Sequence, residues 1–214
     1  MEETRLVLLG PPACGKGTQG RRLAKEYGLG YFSTGKQLRR EVEAGTALGQ
    51  EADKYLSRTE YVPDQLVLAI VSDWVSKQGG GWILDGFPRT VMQAEELDRF
   101  PSESIRSLRA LLIDVDREVL AQRVSQRCEC GYCSWTGTSD DVKETASCPS
   151  CGGALIRRRD DEPEAFRKRM DIYEELTLPV IEHYSSSGGL LRISGIGTQG
   201  EVSKRVKDAL QSHG

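Results

Sequence analysis

The sequence of 214 residues contains no apolar run that approaches the roughly 18 residues needed to cross a membrane. It also has no basic excess, because its formal net charge is −3, and this argues against nucleic acid as a partner. The acidic start, from Met1 to Arg5, does not resemble a secretion signal. Internal repeats and low-complexity tracts are absent as well. We therefore expect a soluble, cytoplasmic protein that binds neither nucleic acid nor membranes.

Cysteine is scarce outside one segment, where five of the six cysteines fall within 24 residues. Without a secretion signal, such clustering favours metal binding over disulfides. The spacing Cys130-x2-Cys133-x14-Cys148-x2-Cys151 is typical of a tetrahedral zinc site with four thiolate ligands. Four cysteines leave no open coordination position, so we interpret the site as structural. Disulfides and free thiols are the alternatives, and Cys128 is an alternative ligand.

The strongest pattern near the start is the stretch from Leu6 to Thr18, LVLLGPPACGKGT. Four consecutive apolar residues predict a buried strand of a parallel sheet, and the apolar spacing after the loop predicts a helix. The N–H groups of such a strand-to-helix loop face an anion, with Lys16 as a mobile positive charge and the Thr18 hydroxyl as a magnesium ligand. The stretch therefore predicts a phosphate-binding loop. A glycine-rich turn without a ligand is the alternative.

Strands and helices alternate along the rest of the chain. The sequence predicts further strands near residues 31–32, 82–85, 108–115 and 190–193, with helices between them. A long helical pattern from Asp161 to about Tyr184 is expected to bend near Pro179. This alternation predicts a three-layer α/β fold with a mostly parallel, five-stranded sheet.

Four motifs occur in a fixed order: GKGT, STGKQLR, DGFPRT and RDDEPEAFRKR. Together they resemble the adenylate kinase family of nucleoside monophosphate kinases, and the resemblance spans the whole chain. It implies a P-loop nucleotide-hydrolase-like core (1–32, 63–126 and 162–214) with a helical monophosphate-binding insert (33–62) and a zinc-binding lid (127–161). It also implies a monomer that transfers the terminal phosphoryl group of Mg-ATP reversibly to AMP, giving two ADP.

The resemblance also assigns roles to individual residues. For ATP it implies Ala13, Cys14, Gly15, Lys16, Gly17, Thr18, Arg123 and Arg127. For AMP it implies Thr34, Arg39, Glu60, Tyr61, Val62, Gly86, Arg89, Gln93, Arg158 and Arg169. The implied catalytic cations are Lys16, Arg89, Arg123, Arg127, Arg158 and Arg169, while Thr18 and Asp85 organise magnesium. Taken one at a time, these segments are also compatible with a capped surface helix, a strand-to-loop turn or exposed arginines.

Three positions depart from the family pattern. Ala13 stands where the family usually has glycine, which tolerates a positive φ angle that alanine resists. Lys36 replaces a common aspartate, and Glu60 stands where lysine is frequent, so the two are candidates for a swapped ion pair. Cys14, inside the phosphate-binding loop, is either an inert small residue or a redox-sensitive thiol; we favour the inert role.

Two other functions are compatible with the sequence. The first is a kinase that phosphorylates UMP or CMP, although the Gln93 amide, which offers both a donor and an acceptor to a base, favours AMP. The second is a non-catalytic zinc-ribbon protein that binds a nucleotide without turning it over.

Overall fold

The computed structural model describes residues 4–101, 105, 107–133, 135–142 and 146–212. The strands are β1 (Arg5–Leu9), β2 (Gly30–Ser33), β3 (Trp82–Asp85), β4 (Leu108–Asp114), β5 (Arg127–Cys130), β6 (Thr136–Thr138), β7 (Leu155–Ile156) and β8 (Leu190–Ser194). The helices are α1 (Lys16–Tyr27), α2 (Thr34–Glu43), α3 (Ala47–Leu56), α4 (Asp64–Ser76), α5 (Val91–Asp98), α6 (Arg117–Gln126), α7 (Pro163–Ile172), α8 (Leu178–Ser186) and α9 (Gln199–Gln211). Within these ranges, none of the helices combines the length and apolar character that crossing a bilayer requires.

Five strands form the main sheet in the order β2-β3-β1-β4-β8, and all four pairings are parallel. The predicted fold class is therefore confirmed. The central strands are nearly continuous apolar runs, because both faces of a parallel sheet are covered by helices. Along β1, Leu6 and Leu8 face one core while Val7 and Leu9 face the other.

Helices cover both faces of this sheet. One core packs α4, α5 and α8 against the sheet, through residues such as Val71, Leu97 and Val180. The other core packs α1, α6, α7 and α9 against the opposite face, through residues such as Leu23 and Val206. The loops after β1 and β3 thus lead to helices on opposite faces. Between neighbouring strands this divergence opens a crevice at the carboxyl ends, where α/β sheets bind their ligands.

A second, smaller sheet forms in the cysteine-rich segment. Strand β5 lies between β6 and β7, and both pairings are antiparallel. Its strands are only two to four residues long, which is too short for an isolated sheet to be stable on its own.

The long helical stretch after residue 162 is interrupted by a π-helical turn, Tyr173–Thr177, between α7 and α8. This turn lies just before Pro179, where we predicted a bend. Proline cannot donate an amide hydrogen to the preceding turn, and the extra residue of the π turn accommodates it.

Candidate active site

The loop between β1 and α1 has the form of a phosphate-binding loop. Lys16 is folded back onto it, where its Nζ donates to the carbonyl oxygens of Gly10 at 2.6 Å and Pro11 at 2.8 Å. Cys14 is buried beside the same ammonium group, with its Sγ 3.5 Å away. The burial of Cys14 accords with the inert role that we favoured. A phosphate bound in the loop would compete for the lysine with these carbonyl groups.

Two backbone positions shape this loop. Gly10 has a φ angle of +136°, and a Cβ there would lie 2.5 Å from the Ile113 carbonyl oxygen, so only glycine fits. Ala13 also adopts a left-handed conformation, with φ +67°. The departure from the family pattern at Ala13 therefore falls on a residue that adopts a left-handed conformation, which costs alanine about 1–2 kcal/mol.

Replacing Ala13 with glycine should stabilise the protein by about 0.5–1 kcal/mol, because glycine adopts the left-handed conformation without this strain. For a chain of this size, that gain corresponds to a Tm increase of about 1–4 °C by calorimetry. Ala24→Gly in the middle of α1 is the matched control. It should lower the Tm, because glycine in a helix interior costs about 1 kcal/mol. A lower Tm for Ala13→Gly would contradict the strain argument.

Asp85 ends β3 level with Leu8 of β1, next to the phosphate-binding loop. Its Oδ2 accepts a hydrogen bond of 2.7 Å from the Tyr31 hydroxyl. Burial and then Asp85 raise the pKa of Tyr31, so the phenol remains the donor. A Cβ on Gly17 would lie 3.1 Å from an Arg21 Nη and 3.3 Å from Asp85 Oδ2. The second glycine of GKGT therefore leaves room for a carboxylate and a guanidinium to approach the loop.

Arginines from several separate segments meet beside this crevice. Arg127 forms a two-pronged ion pair with Asp161, and Arg158 forms one with Asp160. Arg169 reaches Asp160 Oδ2 at 3.0 Å. The charges of Arg39 and Arg89 act on the same cluster. Ion pairs with Asp160 and Asp161 thus bring Arg127, Arg158 and Arg169 together, and the charges of Arg39 and Arg89 act on this cluster.

Arg123 contacts the phosphate-binding loop itself. Its Nη2 donates to the Gly195 carbonyl at 2.8 Å, and its Nη1 lies 3.4 Å from the Cys14 carbonyl oxygen. This arginine therefore connects the loop to the segment that follows β8.

Carboxylates hold the arginine cluster in place and balance part of its charge. Burial opposes ionisation of Asp160, but Arg169 and Arg158 outweigh it and hold the pKa of that carboxyl well below its usual range. Burial lowers the pKa of Arg169 to about 10 despite the attraction of Asp160, so the guanidinium stays charged at neutral pH. Arg158 also reaches Glu129 at 3.2 Å. The cluster is therefore pre-positioned for an anion and already desolvated.

The loop after β3 presents Arg89. The Arg89 N–H donates to Gln93 Oε1 at 2.8 Å, and the Arg89 carbonyl accepts from the Thr177 hydroxyl at 3.1 Å. Its guanidinium is exposed, and its Nε donates to the Gly86 carbonyl at 3.0 Å. The main chain of Arg89 is thus fixed while the side chain faces solvent.

The residues predicted to surround a base lie close together but are differently exposed. Val62 and Thr34 are buried, and Thr34 Oγ1 has no hydrogen-bond partner among the described residues. An orphaned buried hydroxyl fits a site that lacks its ligand. Gln93 is fully buried at 0% exposure, and its amide is bonded to neighbouring protein groups.

We considered Glu60 as the partner of Lys36 in a swapped ion pair, and the structure shows a different cation next to it. Glu60 pairs instead with Arg58 at 3.1 Å. Burial, followed by the like charges of Arg40 and Arg21, lowers the pKa of Lys36, and Glu129 opposes this effect. Lys36 is thus surrounded mainly by positive charges.

The four predicted metal-binding cysteines converge. The sulfur atoms of Cys130, Cys133, Cys148 and Cys151 all lie within 4.8 Å of one another. The closest pairs are separated by 3.4 and 3.6 Å, near the ~3.8 Å between sulfurs of a tetrahedral zinc site with Zn–S bonds of about 2.3 Å. Despite burial, backbone N–H groups of Tyr132 and Cys133 lower the pKa of Cys130, which favours the metal-binding thiolate. Cys128 lies outside this group.

A cavity of about 320 Å³ separates α1 from the cysteine-rich segment. It is lined by Thr18, Arg21, Arg22 and Lys25 on one side and by Trp135 and Thr136 on the other. The Trp135 ring packs directly against Gly137, and a Cβ at position 137 would lie only 2.5 Å from the indole. The cysteine-rich segment therefore faces the phosphate-binding loop across an open, basic space.

Several residues of the site have no signal in the sequence. Asp64 is the first residue of α4, and its carboxylate accepts hydrogen bonds from Tyr61, Thr90 and Gln93. Tyr31 and Arg21 approach Asp85 from other elements. Apart from the Tyr61–Asp64 hydrogen bond, these contacts join residues 26 to 64 positions apart, so no local pattern reveals them.

Comparison with known proteins adds independent evidence. A family model described as adenylate kinase matches residues 8–189. A protein named adenylate kinase from Thermodesulfovibrio yellowstonii is 44% identical over 203 residues, which cover 92% of this chain and 94% of that protein. Proteins of the same name from Clostridium tetani and Methanothrix thermoacetophila are 38% and 39% identical, and each alignment covers 96% of this chain and 97% of the relative.

Proposed function

This chain belongs to the adenylate kinase family, and we propose that it transfers the terminal phosphoryl group of Mg-ATP reversibly to AMP, giving two ADP. The observation that supports this most directly is the cluster of Arg127, Arg158 and Arg169, which Asp160 and Asp161 join through ion pairs. Phosphoryl transfer spreads negative charge over the moving group and requires little covalent chemistry. Fixed cations that neutralise this charge are therefore the main catalytic tool.

On the donor side, the N–H groups of the loop from Ala13 to Thr18 bind the phosphates of ATP, and Lys16 moves from its own carbonyl groups onto them. Arg123 and Arg127 support the donor from opposite sides. Magnesium bound with ATP would neutralise part of the negative charge of the phosphates. The Thr18 hydroxyl and, through water, the Asp85 carboxylate are the groups that would hold it, and their oxygen donors fit this hard cation.

On the acceptor side, Arg39 and Arg89 bind the monophosphate, while Thr34, Gln93 and the segment 60–62, with Gly86, surround the base. Arg158 and Arg169 lie between donor and acceptor. Because Asp160 and Asp161 already hold Arg127, Arg158 and Arg169 in place, little reorganisation is needed when phosphate arrives.

The proposal also assigns a role to each segment of the chain. Residues 1–32, 63–126 and 162–214 form the nucleotide-binding core. Segments 33–62 and 127–161 close over it and exclude water, which would otherwise accept the phosphoryl group. The lining of the cavity next to Trp135 supports this role for the second segment.

We also propose that the four converging cysteines bind one structural zinc ion, which holds segment 127–161 together. Thiolate metal sites and free thiols are typical of reducing compartments, so the cytoplasm is the proposed location. The protein is proposed to act as a monomer on ATP, AMP and ADP, without nucleic acid or membrane partners.

A coupled assay for ADP formed from ATP and AMP tests the proposed reaction. AMP should be converted with a kcat/KM well above that for UMP or CMP. Equal use of UMP or CMP would favour a kinase for another monophosphate. Retained ATP binding without turnover of any acceptor would favour the non-catalytic alternative.

Lys36 provides a test of the acceptor side. Lys36→Asp should raise the KM for AMP on the order of fivefold at low salt, because it places a negative charge near the proposed monophosphate site. The effect should shrink at 0.1 M salt or above, where exposed charges are screened within about 10 Å. The KM for ATP should change little. Lys77→Asp, on the exposed face of α4, is the control. An unchanged KM for AMP at both salt concentrations would make Lys36 a surface residue without a role in binding.

A further inference from the structure

The Tyr31 ring lies in a groove that two glycines open on α1. Gly17 and Gly20 are three positions apart, so they lie on the same side of the helix. A Cβ on Gly20 would lie 2.7 Å from the ring carbon Cε2 of Tyr31, and a Cβ on Gly17 would lie 3.5 Å from the Tyr31 hydroxyl oxygen. The ring is therefore packed along α1, with its hydroxyl at the end that adjoins the phosphate-binding loop.

This hydroxyl binds the carboxylate that ends β3. Tyr31 pairs with Ile83 across the sheet, so Asp85, two residues further along β3, lies on the same face. The Tyr31 hydroxyl donates to Asp85 Oδ2 at 2.7 Å. A Cβ on Gly17 would lie 3.3 Å from that oxygen and 3.1 Å from an Arg21 Nη. The hydroxyl, the carboxylate and the guanidinium thus lie together at the glycine that directly precedes the proposed magnesium ligand of the loop.

We propose that Tyr31 is a positioning residue for magnesium, because its hydrogen bond to Oδ2 fixes the Asp85 carboxylate in the orientation that accepts from the water shell of the ion. The proposal rests on the proposed function, in which Asp85 and Thr18 hold the metal that accompanies ATP. These oxygen donors fit magnesium, which keeps several waters and takes few carboxylates. Loss of an outer partner that orients a metal ligand typically lowers metal affinity 10- to 100-fold.

Loss of the Tyr31 hydroxyl should affect the metal and not the nucleotide itself. In Tyr31→Phe the ring still fills the groove, but Asp85 Oδ2 loses its donor and the carboxylate is free to rotate. Lys16 and the loop N–H groups, which bind the phosphates directly, are unchanged. The affinity for a nucleotide with magnesium should therefore fall relative to the affinity for the same nucleotide without metal. A purely structural role of Tyr31 would weaken both affinities equally.

Calorimetric titration of the full chain with AMPPNP, a non-hydrolysable analogue of ATP, measures both affinities without turnover. The quantity compared is the metal ratio, defined as the Kd in EDTA divided by the Kd in excess magnesium. Tyr31→Phe should lower the metal ratio about fivefold, which is less than for a direct ligand because Asp85 acts through water. Tyr27→Phe is the matched control, since Tyr27 is a partly buried tyrosine at the end of α1 that packs against the same core. Its metal ratio should equal that of the wild type.

A double-mutant cycle tests whether Tyr31 acts through Asp85. Asp85→Asn should itself lower the metal ratio, and the addition of Tyr31→Phe to Asp85→Asn should lower it no further. A ratio for Tyr31→Phe within twofold of the wild-type value would overturn the proposal, as would a further fivefold decrease in the Asp85→Asn background or a wild type that does not bind AMPPNP. If the wild type binds AMPPNP but makes no ADP from ATP and AMP, the proposed function fails, while the metal ratios still decide the role of Tyr31.

Discussion

Replacement of Arg89 by alanine should lower kcat/KM for phosphoryl transfer from ATP to AMP by about 10²- to 10³-fold and leave the fold intact. The main chain of Arg89 is fixed by Gln93 on one side and Thr177 on the other. A clamp that is already fixed binds the phosphate without losing further backbone freedom, so its contribution is expressed in the transition state. Because the guanidinium is exposed, its removal creates no cavity in the core.

Two variants separate a phosphate clamp from a general loss of positive charge. Arg89→Lys keeps the charge but not the planar, two-pronged donor geometry, so it should recover only part of the activity. Arg99→Ala removes an exposed arginine just after the end of α5, where it pairs with Glu96, and should behave like the wild type. A kcat/KM for Arg89→Ala within about threefold of wild type, a difference under about 0.7 kcal/mol, would show that Arg89 does not act as a clamp.

Replacement of Cys148 by serine should abolish zinc binding and lower the Tm by about 10 °C. Cys148 is buried, its Sγ accepts from the Ser150 N–H at 3.4 Å, and its own N–H donates to the Gly153 carbonyl at 2.9 Å. A structural zinc site contributes its binding free energy to folding, and each kcal/mol lost shifts the Tm of a chain of this size by about 2–4 °C. A net loss of about 3–4 kcal/mol therefore produces the expected decrease.

The fifth cysteine of the segment provides the control. Cys128 is two residues before Cys130 and lies outside the group of four sulfurs, so Cys128→Ser should retain one zinc per chain and the wild-type Tm. Elemental analysis and calorimetry of both variants give the two readouts. Wild-type protein that contains no metal after careful preparation, with all thiols free, would refute the zinc assignment.

The sequence predicted the main sheet well because its signals are local. The continuous apolar runs of β1 and β4 are typical of strands covered on both faces, and Asp85 follows such a run directly. The phosphate-binding loop is equally local, since its strand, its glycines and Lys16 are contiguous. The convergence of the four cysteines was predicted from spacing alone, because a tetrahedral site constrains that spacing strongly.

The small antiparallel sheet of the cysteine-rich segment could not be predicted in the same way. Strands of two to four residues carry too few side chains for an alternating pattern, and β5 itself contains Arg127 and Cys130, which face other partners. The segment is held together by the convergence of its cysteines rather than by an apolar core. Its backbone therefore follows from the contacts among these four cysteines, which a scan for periodicity does not detect.

The hydrogen bonds around Gln93 could not be predicted from the sequence either. We predicted that Gln93 contacts a base, but the structure shows its amide fully engaged with Tyr61, Asp64 and the Arg89 backbone. Whether a side-chain amide is available to a ligand depends on partners about 30 positions away. The motif DGFPRT therefore predicts the position of the site, whereas the hydrogen bonds of Gln93 follow from the tertiary structure.

The π-helical turn at Tyr173–Thr177 joins α7 and α8 into one nearly continuous helical rod, which spans two layers of the protein. Helix α7 packs on one face of the sheet and α8 on the other, where it also contacts α5. Arg169 lies in α7, and the Thr177 hydroxyl in the π-helical turn donates a hydrogen bond to the Arg89 carbonyl. One helical element therefore carries Arg169 and also holds the backbone of Arg89, so it ties together two residues that lie 80 positions apart in the sequence.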